Sequence, residues 1–211
     1  QIEELARCPF RYFLSCVLGI EPPADRPLDP ARWLDPLEYG TLMHKILCLY
    51  YRRLRVSGRP YPEQDENLLF AIAGDLIGRM LAIVPPPSEV VLAQEKRGIY
   101  RSLRAFLGAE EENRDKSRPL YYEVPFGLGP EAVREAGLGL PGPVTLHLPD
   151  GSSVKLRGKI DRLDETDHGY LVLDYKTGSH KTFREEDYVR RGRQLQHALY
   201  AIAAEEILRQ N

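Results

Sequence analysis

Two apolar segments of this chain each carry a carboxylate where a β-strand is expected. The first is Gly158-Lys159-Ile160-Asp161-Arg162-Leu163-Asp164, and the second is Val172-Leu173-Asp174-Tyr175-Lys176-Thr177-Gly178. A charge set among Leu, Val and Ile is costly unless something pairs with it. Two carboxylates on neighbouring strands repel each other. A divalent cation such as Mg²⁺ removes the conflict, because it takes carboxylate oxygens and keeps waters for substrate phosphate. Side chains alternate along a strand, so Asp174 and Lys176 share one side and Tyr175 faces away. The Lys176 ammonium then sits beside the cation pocket, able to polarise a water and offset developing charge. The Tyr175 carbonyl is a further candidate oxygen ligand.

The rest of the chain sets the context for these strands. Residues 1 to 19 read as a short helix with an aromatic cluster, Phe10, Tyr12 and Phe13, taken as core rather than as a base-stacking platform. Five prolines between Glu21 and Pro36 mark a loop. Leu37 to about Val56 is helical, with apolar residues around most of its circumference, which predicts burial. Helices follow at about 64 to 83 and 88 to 112, the second capped by Ser88.

Strand signals then take over. Leu120 to Phe126 reads as a strand, and Gly127 to Pro143 as a loop with a helical turn near Glu131 to Ala136. Pro149-Asp150-Gly151 joins Val144 to Leu148 with Ser153 to Leu163, and Asp167-His168-Gly169 leads into Tyr170 to Tyr175. These predict one antiparallel meander. Glu185 to Asn211 reads as a long helix with one apolar face. The expected class is α+β, with a helical portion over 1–115 and a sheet portion over 116–211, together forming one domain. Both ends run straight into helical patterns, and the first residue is not Met, so the chain is expected to be part of a longer protein.

Composition narrows the function classes. A net charge of -2, with Lys+Arg 29 against Asp+Glu 31, means that attraction to phosphate must come from a local patch. Lys181, Arg184, Arg190, Arg191 and Arg193 form the densest basic run, readable as phosphate contacts or as a solvated helix face. No apolar run is long enough to span a bilayer. Three cysteines without regular spacing, Cys8, Cys16 and Cys48, point to a reducing cytoplasm.

The set Asp161, Asp174-Tyr175-Lys176 resembles the PD-(D/E)XK nuclease motif, in its RecB/AddB branch. Tyr39-Gly40-Thr41-Leu42-Met43-His44 resembles that branch's helical motif, which implies His44 as a metal ligand beside Asp161, Asp174 and the Tyr175 carbonyl. Glu123 resembles the Glu of the first strand, and Gln196 with Tyr200 the QxxxY motif. Cys8-Pro9-Phe10-Arg11-Tyr12-Phe13 resembles the N-terminal motif of AddB-like nucleases. There the cysteine joins three later ones around an iron–sulfur cluster. No cysteine follows Tyr200 here, so the cluster is not possible within these residues alone, and Cys8 either pairs with cysteines further along a longer chain or packs against apolar neighbours.

The resemblance implies a restriction-endonuclease-like core, small and rich in antiparallel strands. It also implies an Mg²⁺- or Mn²⁺-dependent deoxyribonuclease, exonuclease ahead of endonuclease. The implied substrate is DNA, at single-stranded ends, and the implied partner is a helicase module in double-strand break repair or recombination. The expected roles are catalytic for Asp161, Asp174, Lys176, Gln196, Tyr200 and Glu123. Each also has a plainer alternative. Asp174 and Lys176 can form a simple ion pair, His44 can be a hydrogen-bonded core residue, and Glu123 can be a surface strand residue. Gln196 and Tyr200 can be interfacial packing. A silent DNA-binding scaffold and an RNA nuclease remain open at this level.

Overall fold

The computed structural model describes residues 2–20, 29–56, 65–176 and 195–210. Thr177, Gly178 and the basic run from Lys181 to Arg193 lie outside them, as does the predicted helix start at Glu185.

The N-terminal segment is helical in three pieces: α1 (Ile2–Arg7), α2 (Pro9–Tyr12) and a π-helical turn over Phe13–Val17. The aromatic cluster expected in the core is instead on the surface, with Phe10 70% and Phe13 47% exposed. Helix period alone does not say which face finds a partner, and neither core takes these rings in.

Three long helices follow: α3 (Pro36–Val56), α4 (Glu66–Ile83) and α5 (Glu89–Asn113). A reciprocal cap fixes the start of α3, since Glu38 N–H donates to Asp35 Oδ1 and Asp35 N–H donates to Glu38 Oε2. Ser88 caps α5 as expected, accepting from Val91 N–H. Leu42, Met43, Ile46, Leu47, Tyr50, Tyr51 and Leu54 turn one broad face of α3 into a core shared with α4 and α5.

Strands β1 (Arg118–Phe126), β4 (Gly158–Thr166) and β5 (Gly169–Leu173) form an antiparallel sheet with β4 in the middle. Helix α6 (Pro130–Ala136) lies between β1 and a separate hairpin, β2 (Val144–His147) with β3 (Ser153–Leu156). The predicted single meander is therefore two sheets. The run from Ser153 to Leu163 leaves its partner β2 after Leu156 and joins β1 from Gly158. Gly158 pairs with Phe126, where a Cβ would sit 2.8 Å from the Phe126 ring, so the crossing requires glycine. Helix α7 (Gln196–Gln210) packs Ala203, Ala204 and Ile207 into a second core with Val124, Ile160 and Leu163.

The two cores meet at one rung of the sheet. Tyr122 belongs to the helical core and Val124 to the second core. Residues two apart on a regular strand share a face. Glu123, between them, has φ 52°, a left-handed conformation costly for a residue with a Cβ. That kink lets β1 pass from one core to the other. It falls between the pairs Tyr122↔Arg162 and Val124↔Ile160, beside Asp161.

Candidate active site

His44 projects from the middle of α3, on the edge of its buried face, and meets the sheet at Asp161 and Tyr175. Its Nε2 lies 2.9 Å from the Tyr175 carbonyl, which can only accept, so Nε2 donates. Its Nδ1 faces Asp161 Oδ1 at 3.4 Å. A doubly protonated ring satisfies both contacts, and a metal ion would take the place of one proton. The hydrogen bond to Asp161 holds the His44 pKa above its ordinary value, against the opposing effect of burial.

Asp161 is itself fixed by the backbone, because Tyr175 N–H donates to its Oδ2 at 2.8 Å. Glu123 completes a group: ligand atoms of His44, Glu123 and Asp161 all lie within 4.8 Å of one another. The Glu123 carboxylate also pairs with Lys159 at 3.0 Å. Sequence alternation predicts neither the kink nor this close approach; Glu123 was singled out only by its resemblance to the Glu of the family's first strand.

Asp174 and Lys176 follow β5 and face one side, as alternation predicts. Lys176 Nζ sits 2.5 Å from Asp174 Oδ2 as an ion pair. No aligned hydrogen bond reaches that buried oxygen among the described residues. Gln196, at the start of α7, ties the pair together. Its Nε2 donates to Asp174 Oδ1 at 2.8 Å, and its Oε1 accepts from Lys176 Nζ at 2.7 Å. Gln196 Nε2 also reaches Tyr200 Oη at 3.1 Å, one turn further on. Burial pushes the Tyr200 phenol up, with Asp174, Asp161 and Glu123 adding to the effect. Glu3 of α1 accepts from the backbone N–H groups of Leu195 and Gln196, at 3.0 and 3.1 Å, and so anchors the N-terminus of α7.

The structure thus gathers the predicted residues in two adjoining sets: His44, Glu123 and Asp161 in one, and Asp174, Lys176, Gln196 and Tyr200 in the other. The Asp161–Tyr175 backbone bond joins them. Asp174 lies outside the tight three-residue group. Cys8 is exposed, so the alternative of an apolar-packed Cys8 does not hold.

Sequence reading assigned no role to Arg162, which lies beneath this site. It is 2% exposed and forks onto Asp164, with Nη2 to Oδ2 at 2.6 Å. Its Nη1 donates to Glu110 Oε1 and Tyr51 Oη at 2.7 Å each, and to Tyr175 Oη at 3.2 Å. Burial works to lower the Arg162 pKa, but the Asp164 hydrogen bond and the surrounding oxygens raise it, so the guanidinium stays charged. The local sequence shows only an Arg and an Asp at i, i+2 on one strand, which does not reveal that Glu110 and Tyr51 converge on the guanidinium. Arg162 holds the ring of Tyr175, whose backbone N–H and carbonyl touch Asp161 and His44.

The donor set suits a hard divalent cation. It offers carboxylate oxygens, a carbonyl and one imidazole.

Comparisons with known proteins agree with this chemistry. The chain is 31% identical over 199 residues to the B subunit of an ATP-dependent helicase/deoxyribonuclease from Clostridium acetobutylicum, covering 89% of this chain and 16% of that protein. It is 30% identical over 218 residues to the protein of that name from Symbiobacterium thermophilum, covering 98% of this chain and 17% of that one. A third, from Lacticaseibacillus casei, is 30% identical over 193 residues, covering 86% and 15%. The chain spans about a sixth of the length of these curated relatives. The sequence profile of the PD-(D/E)XK nuclease superfamily matches residues 1–211 throughout, and with its acids and lysine meeting at one end of β4 and β5, the chain belongs to that superfamily.

Proposed function

We propose that this domain hydrolyses DNA phosphodiester bonds with Mg²⁺ or Mn²⁺, as an exonuclease acting on single-stranded ends. His44, Asp161, Asp174 and the Tyr175 carbonyl would hold the metal, with Glu123 close enough to join them. The bound cation would supply Lewis acidity at a phosphoryl oxygen. Lys176 presents its ammonium toward the same space, where it orients water and offsets charge developing on the phosphate. Gln196 holds Lys176 and Asp174 in register, and Tyr200 supports Gln196. Residues 1–115 and 116–211 act as one nuclease unit in this reading.

The observation that carries it is Gln196 gripping Asp174 and Lys176 at once, one backbone bond away from Asp161. A plain surface ion pair has no need of that clamp. The relatives' shared name supports a helicase module or helicase chain as partner. Double-strand break repair or recombination is the context proposed with it. Among the described residues no helix is long and apolar enough to cross a membrane, and the cytoplasm is the proposed location.

The test is degradation of single-stranded DNA in Mg²⁺ or Mn²⁺ by the parent, Asp174→Ala and Lys176→Ala. Both variants should lose most of the activity. Equal rates in all three, as a silent scaffold would give, overturn the assignment.

A further inference from the structure

A groove of about 680 Å³ opens beside the His44–Glu123–Asp161 group. One wall is a stripe of α3, with Thr41, Lys45, Cys48 and Arg52 at alternating steps of four and three. This stripe adjoins the buried face of the helix and is its polar counterpart. Lys159 of β4 and Glu135 of α6 line other sides of the same groove. At 1.5 Å rise per residue, Lys45 and Arg52 stand about 10 Å apart along the helix. Among the described residues, neither is ion-paired with a carboxylate, whereas Lys159 is held by Glu123.

We infer that this groove is a phosphate track for single-stranded DNA, with Lys45, Arg52 and Lys159 contacting the backbone of the strand whose scissile phosphate reaches the metal group. The inference rests on the nuclease reading and names the substrate path for it. Two considerations support it. The size suits a few nucleotides of one strand, since pockets on this scale take drug-sized ligands. Leu37, 78% exposed at the mouth, offers an apolar surface to an unpaired base.

The charges also predict a linkage. Apart from His44, three cations, Lys45, Arg52 and Lys159, face three carboxylates, Glu123, Glu135 and Asp161. With His44 neutral, as a metal ligand must be, the lining is balanced by itself. A bound divalent cation tips it to net positive, so the metal favours docking of the polyanion as well as its chemistry.

The experiment uses the Lys176→Ala background, in which the nuclease reading predicts loss of most cleavage. Binding of a fluorescent oligothymidine is followed by anisotropy in Mg²⁺ over a range of KCl. Each single-strand phosphate contact contributes about 0.7 to the slope of log K against log salt. The double change Lys45→Gln with Arg52→Gln should therefore flatten the slope by about 1.4. A mixed-sequence oligonucleotide should show the same loss, since phosphate contacts carry no sequence information. Lys155→Gln, one charge removed at an exposed position of β3, should leave the slope unchanged, and exchanging Mg²⁺ for EDTA should weaken binding by the Lys176→Ala protein. An unaltered slope in the double variant, an equal loss from Lys155→Gln, or equally tight and equally affected binding of a duplex would each overturn the track. Cleavage by Lys176→Ala at the parent rate would instead count against the nuclease roles, with the slope comparison then run in Ca²⁺ or EDTA.

Discussion

Two aspartates three residues apart on β4 have opposite surroundings. Asp164 is fully buried, takes a forked guanidinium from Arg162 and accepts from Ser117 Oγ at 2.9 Å. Every charge in that cluster has an opposite charge or a donor supplied by the protein. Asp161 has a backbone N–H and an imidazole, and it stands next to a second carboxylate, Glu123. Its negative charge is only partly answered. The first arrangement is complete as folded and serves as a foundation, whereas the second has the donor set for the cation proposed above. The same strand and residue type thus give a structural acid and a candidate catalytic one, according to how far the protein neutralises each.

The largest effect should come from breaking the complete cluster. Arg162→Ala leaves Asp164 buried without its partner and should cost about 3–5 kcal/mol, read as a lower urea midpoint. If it costs no more than a surface substitution, the contrast between the clusters fails. On the incomplete side, Mg²⁺ at a hundredfold excess over its Kd should stabilise the fold by about 2.7 kcal/mol, and Asp161→Asn should abolish that gain. Metal titration in thermal melts checks both. A metal response surviving in Asp161→Asn would show that Asp161 is not where the cation sits.

Gln196→Ala should lower kcat about 10–100-fold while leaving the urea midpoint nearly unchanged, because it frees Lys176 and Asp174 without unpacking the core. A fall in stability with kcat intact would reverse its role. The smallest effect concerns the kink. Glu123→Gly should be about 1 kcal/mol more stable than Glu123→Ala, since only glycine adopts φ 52° without cost. Both should lose activity. If alanine is the more stable of the two, the strain is not there.

The sequence made the chemistry more legible than the topology. Asp161, Asp174 and Lys176 stood out because charges in apolar runs need partners, His44 and Gln196 stood out only through the resemblance to family motifs, and the structure brings them together. Strand and helix positions followed from period and turn residues, including the Ser88 cap and the helical turn before Gly137. Three features were not readable. The break between β3 and β4 depends on Gly158 passing the Phe126 ring, a tertiary contact. The place of Glu123 depends on a φ value that violates the alternation used to predict strands. Arg162 looked like one more charge on β4, since nothing local shows that Glu110 and Tyr51, distant in sequence, converge on it. Phe10 and Phe13 failed the opposite way, because aromatic content predicts burial only where a partner surface exists.

Glu3 accepts from backbone groups 192 and 193 residues further along the chain. During synthesis α1 waits through the whole of both cores before its carboxylate has a partner. The helix start that carries Gln196 is secured only after that helix has left the ribosome. A site closed by such a long-range clasp is completed late, so a nascent chain that stops short of α7 lacks the Gln196 clamp on Asp174 and Lys176.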